Sequence, residues 1–251
     1  MTRNQLFFST LAVGATLASL TTTNASAVSL FTNPSFENPV LSNAGEARNF
    51  AAGSNIGGWS VVGGGAFSSV LLINTPYTEN NSNGAQPGPI VFNAGDALNA
   101  VDLTGSVNQG PTAGISQTVN LVVGHTYSLS FLLGKQNSTN FYQGNASLNL
   151  SINGGASTLF TNSTAPVLNS IVWEQKNASN YVATQASTTF TFLNASPGGS
   201  GPGLTNYVGL DLVNLNDITP TATVPEPGAV ALLVTSATLG LGVIARRRRK
   251  I

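Results

Sequence analysis

The sequence predicts an all-β fold, a single β-sandwich or jelly roll flanked by two non-domain segments. Apolar and polar residues alternate with a period of two in several short runs, and turn-forming residues separate these runs. No window in the middle of the chain shows the 3.6-residue apolar period of a helix. Short alternating strands with polar, glycine-rich turns are typical of sandwiches and jelly rolls. The 251-residue chain has no cysteine, so burial of one core has to hold the domain together, with or without a metal ion.

The first segment, residues 1–27, is predicted to be a signal peptide. Arg3 gives it a weakly positive start, an apolar stretch runs from Leu6 to Leu20, and Ala25-Ser26-Ala27 is a small-residue cleavage site. The alternative is a first transmembrane helix, which the threonines and serines of the stretch disfavour. We therefore expect signal peptidase to cut here and the chain to be exported.

The domain itself is expected to span residues 28–221. Its predicted strands are Ile115–Leu121, Tyr127–Phe131, Leu148–Ile152 and Thr189–Leu193. Glycine-containing turns around residues 123–125, 153–155 and 196–203 separate them. The long segment 62–93 has few alternating runs, so we expect loops there with one strand near Ser69–Ile73.

The last segment, residues 222–251, has three parts in a fixed order. The tripeptide Pro225, Glu226, Pro227 precedes an uncharged apolar stretch of 18 residues, 228–245. A helix through this stretch would span roughly 27 Å, about one hydrocarbon core of a bilayer. The basic tail that follows would stop transfer and stay on the cytoplasmic side. It consists of Arg246, Arg247, Arg248, Arg249 and Lys250.

This order closely resembles the PEP-CTERM sorting signal of bacterial envelope proteins. The resemblance implies that an exosortase, a membrane-embedded transpeptidase-like enzyme, cuts near the tripeptide. The protein would be held in the inner membrane by its C-terminal helix before processing, and then reach the cell surface or the extracellular matrix. The alternative is an ordinary single-pass C-terminal anchor.

The charge of the domain limits its partners. Three basic residues stand against eight acidic ones in residues 28–221, a formal charge of −5. The lack of a basic patch predicts no nucleic-acid binding, and the acidity of the domain disfavours polyanionic polysaccharides.

A second resemblance concerns the domain. Several short strings occur in an order that resembles galactose-binding-like jelly rolls, including carbohydrate-binding modules: Asn33–Glu37, Gly57–Trp59, Ala100–Gly105, Ile115–Val119, Gly124–Phe131 and Gly209–Val213. The resemblance implies a structural Ca²⁺ ion held by Glu37 and Asp211, because such modules often use an early Glu and a late Asp as ligands. The alternative is that Glu37 is a solvated strand-edge residue and Asp211 a turn or sheet-face residue.

No catalytic residue is predicted. His125 is the only histidine and lies in a turn, the chain has no Gly-x-Ser-x-Gly elbow, and nothing marks a pair of carboxylates. For sugar binding, the aromatic pair Phe141 and Tyr142 lies in a polar loop, where exposed binding and local packing are both open. Trp59 is expected in the core.

These observations predict an exported, non-enzymatic envelope or matrix protein whose domain binds a glycan, such as extracellular polysaccharide, or is structural. The alternative is a secreted polysaccharide-modifying hydrolase on a jelly-roll fold. A carboxylate pair in a cleft would favour the enzyme, and a shallow aromatic strip or no pocket would favour the binding module.

Overall fold

The computed structural model describes residues 28–64, 68–79, 89–105, 113–137, 142, 144–197 and 206–220. The predicted signal peptide, tripeptide, apolar stretch and basic tail all lie outside these residues. Within the described part, no helix has the length and hydropathy needed to cross a bilayer.

The described residues form fifteen strands. The first eight are β1 (Ala47–Ala51), β2 (Asn55–Ile56), β3 (Trp59–Gly63), β4 (Ser69–Asn74), β5 (Tyr77–Glu79), β6 (Ile90–Phe92), β7 (Asn99–Asp102) and β8 (Ala113–Asn120). The others are β9 (Thr126–Asn137), β10 (Ser147–Ile152), β11 (Thr158–Thr161), β12 (Ser170–Asn177), β13 (Tyr181–Val182), β14 (Ser187–Asn194) and β15 (Gly209–Asp217).

These strands form two main layers. The seven-stranded sheet has the order β1-β4-β7-β15-β9-β12, with β13 also paired to β9. The six-stranded sheet has the order β11-β10-β14-β8-β3-β2, and β5 and β6 form a separate hairpin. This arrangement confirms the prediction of an all-β, sandwich-like fold.

The main core fills the space between the two sheets. Alternate residues of β9 and β14 supply much of it, including Phe131, Phe190 and Phe192. Trp59 is fully buried, with its ring centroid 4.9 Å from that of Phe31, and its Nε1–H donates to the Asn33 carbonyl at 3.0 Å. The prediction that Trp59 is a core residue is therefore confirmed.

The predicted strands are all present, but several are longer than expected. Tyr127–Phe131 is the middle of β9, which runs on to Asn137. The segment 62–93 holds β4 as predicted, and it also holds β5 and β6, which the sequence analysis missed. Each of these two strands has only three residues, too few to show an alternating period.

A bulge in β15 changes which residues face the core. The register against β9 shifts between Asp211 and Asn214, and Leu212 has a φ of 45°. Strict alternation would place Leu210 on the opposite face from Val213 and Leu215. The bulge brings all three into the core and leaves Asp211 facing away from it.

Candidate functional site

A row of five residues crosses the outer face of the seven-stranded sheet. Backbone pairing sets Leu71 opposite Asp102, Asp102 opposite Gly209, Gly209 opposite Gly134, and Gly134 opposite Trp173. The residues one step along most of these strands belong to the main core, so this row faces away from it. Two adjacent glycines thus lie between a carboxyl group and an indole ring.

A second hydrophobic cluster covers this row. We call it the outer cluster; its buried members are Ile73, Ile90, Phe92, Tyr142, Ile171 and Tyr207. Tyr77 and Trp173 are partly buried and pack against it. The Phe92 ring is central, with centroids 5.5 Å from Tyr77, 5.7 Å from Tyr142 and 5.2 Å from Tyr207. The β5–β6 hairpin therefore lays an aromatic layer over the sheet.

The Trp173 ring occupies space that the glycines leave open. A Cβ atom at Gly134 or at Gly209 would come within 2.7 Å of this ring. The indole Nε1–H donates to the Asn93 carbonyl at 3.0 Å, which fixes the orientation of the ring. Tyr207 also approaches Gly209, since a Cβ there would lie 2.7 Å from its ring. Two aromatic side chains therefore meet above the glycine that is paired with Asp102.

Asp102 is a buried carboxyl group beneath this layer. Its Oδ1 accepts hydrogen bonds from the Thr104 backbone N–H at 2.9 Å and from the Thr104 hydroxyl. Burial raises the pKa of Asp102 to about 7; the Thr104 bonds oppose this rise, and the nearby charge of Glu79 adds to it. Near neutral pH the group is therefore present in both its acid and its base forms.

Glu79 is a second carboxyl group in contact with the outer cluster. Its two oxygens accept hydrogen bonds from the Tyr142 hydroxyl at 3.0 Å and the Tyr77 hydroxyl at 3.4 Å. Burial raises the pKa of Glu79, and the two tyrosine bonds counteract part of the rise. Burial together with the charge of Glu79 also raises the pKa of Tyr77 and of Tyr142, so both hydroxyls keep their protons.

This combination can transfer protons and stabilise positive charge. A carboxyl group with a pKa near the working pH is an effective general acid and base. Aromatic faces and a nearby carboxylate attract a cation, more strongly where water is excluded. The sequence analysis found no pair of carboxylates, whereas the fold brings Asp102 and Glu79 under one aromatic layer.

The predicted calcium ligands, Glu37 and Asp211, both accept hydrogen bonds from the segment between β6 and β7. Glu37 Oε1 accepts the backbone N–H groups of Leu98 at 3.0 Å and Asn99 at 2.8 Å. Both oxygens of Asp211 likewise accept backbone N–H groups, at 2.7–2.9 Å. Among the described residues, no three histidine, cysteine or acidic side chains are placed to hold a metal ion. Backbone N–H groups thus occupy Glu37 Oε1 and both Asp211 oxygens, and the calcium site stays a prediction.

The other predicted site residues have different positions. Phe141 lies outside the described residues. Tyr142 is only 9% exposed and is bonded to Glu79, so it is part of the outer cluster and not an exposed platform for a sugar. His125 lies at an exposed turn as expected, and its Nδ1 is 2.7 Å from Asp217 Oδ2, a partner that the sequence analysis did not identify.

Sequence reasoning missed Asp102, Glu79 and the role of Trp173. An acidic residue facing away from the core of a sandwich is normally solvated, so its presence in β7 gives no signal by itself. The available signal was the glycine in each of two long strands, Gly134 and Gly209, because a strand glycine often marks a close approach by another group.

Comparison with known proteins gives a family match over most of the chain. A family model described as HpiC1-like, HpiC1 cyclase, matches residues 28–225. A search of curated proteins gave no match.

Several solved structures share the fold. The stig cyclase Fisc from Fischerella sp. TAU, in complex with (3Z)-3-(1-methyl-2-pyrrolidinylidene)-3H-indole, is 18% identical and covers 78% of this chain and 100% of its own, with a TM-score of 0.50. A cyclase from the same organism, in complex with 4-(1H-indol-3-yl)butan-2-one, has the same identity and coverage and a TM-score of 0.47. TmCBM61 in complex with β-1,4-galactotriose is also 18% identical, covers 76% of this chain and 99% of its own, and has a TM-score of 0.42. At this identity the first match supports the fold alone.

Proposed function

Because the chain belongs to the HpiC1-like cyclase family, we propose that it is an enzyme that closes a ring in a small unsaturated substrate by proton transfer at the outer cluster. The family assignment overturns the expectation of a non-catalytic glycan-binding or structural module. It equally overturns the alternative of a polysaccharide-modifying hydrolase. The proposed site matches no known catalytic motif because its residues lie far apart in the chain.

Asp102 is the proposed general acid and base. Its protonated form donates a proton to an unsaturated atom of the substrate, which leaves a carbocation or iminium ion. An electron-rich carbon of the same molecule attacks the cationic carbon and forms the new ring bond. A proton then returns to the Asp102 carboxylate, so the product is an isomer of the substrate and the enzyme is unchanged.

The surrounding residues would stabilise the cation formed in this step. Glu79 supplies negative charge, and the Tyr77 and Tyr142 hydroxyls hold it in place. The rings of Trp173 and Tyr207 meet beside Asp102 and exclude water, which strengthens every charge interaction at the site. The observation that carries the proposal is this pair of carboxyl groups beneath one aromatic layer.

The substrate class that we propose is a small, mostly apolar molecule with an indole ring and an unsaturated side chain. Such a molecule matches the aromatic lining of the outer cluster. The indole compound bound by the Fischerella enzyme Fisc provides the first binding probe.

The location of the enzyme stays a prediction. The signal peptide and the C-terminal sorting signal lie outside the described residues, and the family match ends at residue 225. Export, anchoring in the membrane and processing by an exosortase are therefore proposals about where the enzyme is found. The calcium ion implied by sequence resemblance plays no part in the proposed step.

The test is turnover by the purified protein with a panel of alkenyl-substituted indoles. We expect a product with the mass of the substrate and a different retention time. Lack of any isomer across the panel, together with no binding of the Fisc compound by calorimetry, would contradict the proposal.

A further inference from the structure

The loop of residues 93–98, between β6 and β7, is bound in its middle and at its C-terminal end by acidic side chains from distant parts of the chain. Glu37 accepts the N–H groups of Leu98 and Asn99, at 3.0 and 2.8 Å. Asp211 Oδ2 accepts those of Gly95 and Asp96, at 2.9 and 2.8 Å. Two distant side chains thus bind four consecutive or neighbouring backbone N–H groups, so the position of the loop is well defined.

The same loop holds the Trp173 ring. The Asn93 carbonyl accepts the indole N–H at 3.0 Å, and a Cβ at Gly95 would come within 2.9 Å of the ring. The loop therefore contacts Trp173 both by a directional hydrogen bond and by close packing. A displacement of the loop would displace the ring.

Trp173 in turn limits the space beside the proposed acid. Its benzene edge reaches over Gly134 and Gly209, and Gly209 is the backbone partner of Asp102. The ring thus covers the two glycines that lie between Trp173 and Asp102 in the row.

We propose that Glu37 and Asp211 are positioning residues that fix Trp173 through the 93–98 loop, and that Trp173 determines substrate size at the cyclase site. The size-selection part rests on the proposed function, whereas the positioning part does not. The carboxylates bind the loop directly, and no metal ion is needed between them.

The positioning part is tested by ¹⁹F NMR of the full mature chain labelled with 5-fluorotryptophan. The chain has two tryptophans, Trp59 and Trp173, so two resonances are expected, and W173F assigns them. We expect E37A to shift or broaden the Trp173 resonance and to leave that of Trp59 unchanged. E37Q should retain most of the wild-type signal because its amide oxygen still accepts N–H groups.

A matched control is E46A. Glu46 is also a carboxylate that accepts backbone N–H groups, from Ser42 at 3.0 Å and Asn43 at 3.3 Å, but it does not bind the 93–98 loop. Both resonances should stay in place in this variant. If E37A and D211A fold and leave the Trp173 resonance unchanged, or if they move both resonances equally, the positioning role is wrong.

Chelation separates direct binding from a metal bridge. EDTA should leave the Trp173 resonance unchanged. A shift with EDTA that Ca²⁺ reverses would show that an ion holds the loop, and would overturn direct binding.

Size selection is tested by activity. With an indole substrate, E37A should raise KM several-fold and change kcat little, and W173A should accept longer side chains than the wild type. If W173A keeps the wild-type order of substrates, Trp173 does not determine size. If the wild type turns over no substrate, the proposed function fails while the ¹⁹F result still decides the positioning role.

Discussion

The chemistry of Asp102 depends on the aromatic layer that covers it. In a sandwich whose outer face met water, a carboxyl group at this position would be solvated and ionised at neutral pH. The β5–β6 hairpin and Tyr207 bury it, and burial raises its pKa to about 7. The residue type was visible in the sequence, but its role depends on a layer formed by side chains from other parts of the chain.

Replacing Asp102 by Asn should remove the proton donor and acceptor while keeping the side-chain shape. We expect kcat to fall by about 10²–10⁴, the usual contribution of a general acid or base. Turnover of an alkenyl indole measured at pH 7 checks this. Asp217→Asn is the control, because Asp217 lies in an exposed pair with His125. Equal activity of D102N and the wild type would contradict the assignment.

The raised pKa of Asp102 also predicts a pH dependence of stability. The folded state binds its proton more tightly than the unfolded state, whose pKa is near 3.8. The stabilisation is therefore complete below about pH 4 and is lost as the pH rises towards 7, at up to about 1.4 kcal/mol per pH unit.

Urea unfolding between pH 4 and 8 measures this effect as the difference between the wild type and D102N. As the pH rises, the wild type should lose unfolding free energy relative to D102N, because the asparagine side chain in the variant does not titrate. A difference that stays constant over this range would mean that Asp102 titrates with an ordinary pKa in the folded protein.

At the scale of elements, the alternating strands were predictable and the features that form the site were not. The period-two runs fixed β8, β10 and β14 within one or two residues at each end. The bulge in β15 could not be predicted from the sequence, because it is stabilised by tertiary packing. It allows Leu210, Val213 and Leu215 to be buried together in the main core. The hairpin of β5 and β6 was missed because its stability comes from packing on the sheet, not from local sequence.

The two strand glycines give a prediction at this scale. Gly209→Ala places a Cβ within 2.7 Å of both the Trp173 and the Tyr207 rings, so the outer cluster has to shift. We expect a loss of unfolding free energy of about 1–3 kcal/mol, the usual cost of overpacking, together with reduced turnover.

Gly64→Ala is the matched control, because a Cβ at Gly64 meets nothing within 4 Å. Thermal or urea unfolding of both variants provides the comparison. If Gly209→Ala is as stable and as active as Gly64→Ala, the close approach of the two rings is not required.

At the scale of the whole molecule, the terminal segments make a separate prediction. Pro225 and Pro227 disfavour helix, so the tripeptide should stay extended just outside the bilayer, where a protease can bind it. We expect the mature protein from its native host to begin near Val28 and to lack residues 228–251, and Glu226→Ala to block the second cut. Intact mass measures both ends. A chain that still ends at Ile251 would support the plain anchor.

The start and the end of the domain lie side by side. The Leu30 N–H donates to the Leu215 carbonyl at 2.8 Å, and the Leu215 N–H donates to the Ser29 hydroxyl at 3.1 Å. A short linker could therefore join the two ends with a small entropic cost, and the chain could be reopened at the exposed turn of Asn153 and Gly154. The domain should thus tolerate circular permutation. The new ends would lie at the surface turn of Asn153 and Gly154, and the pairing of β15 with β9 would be kept.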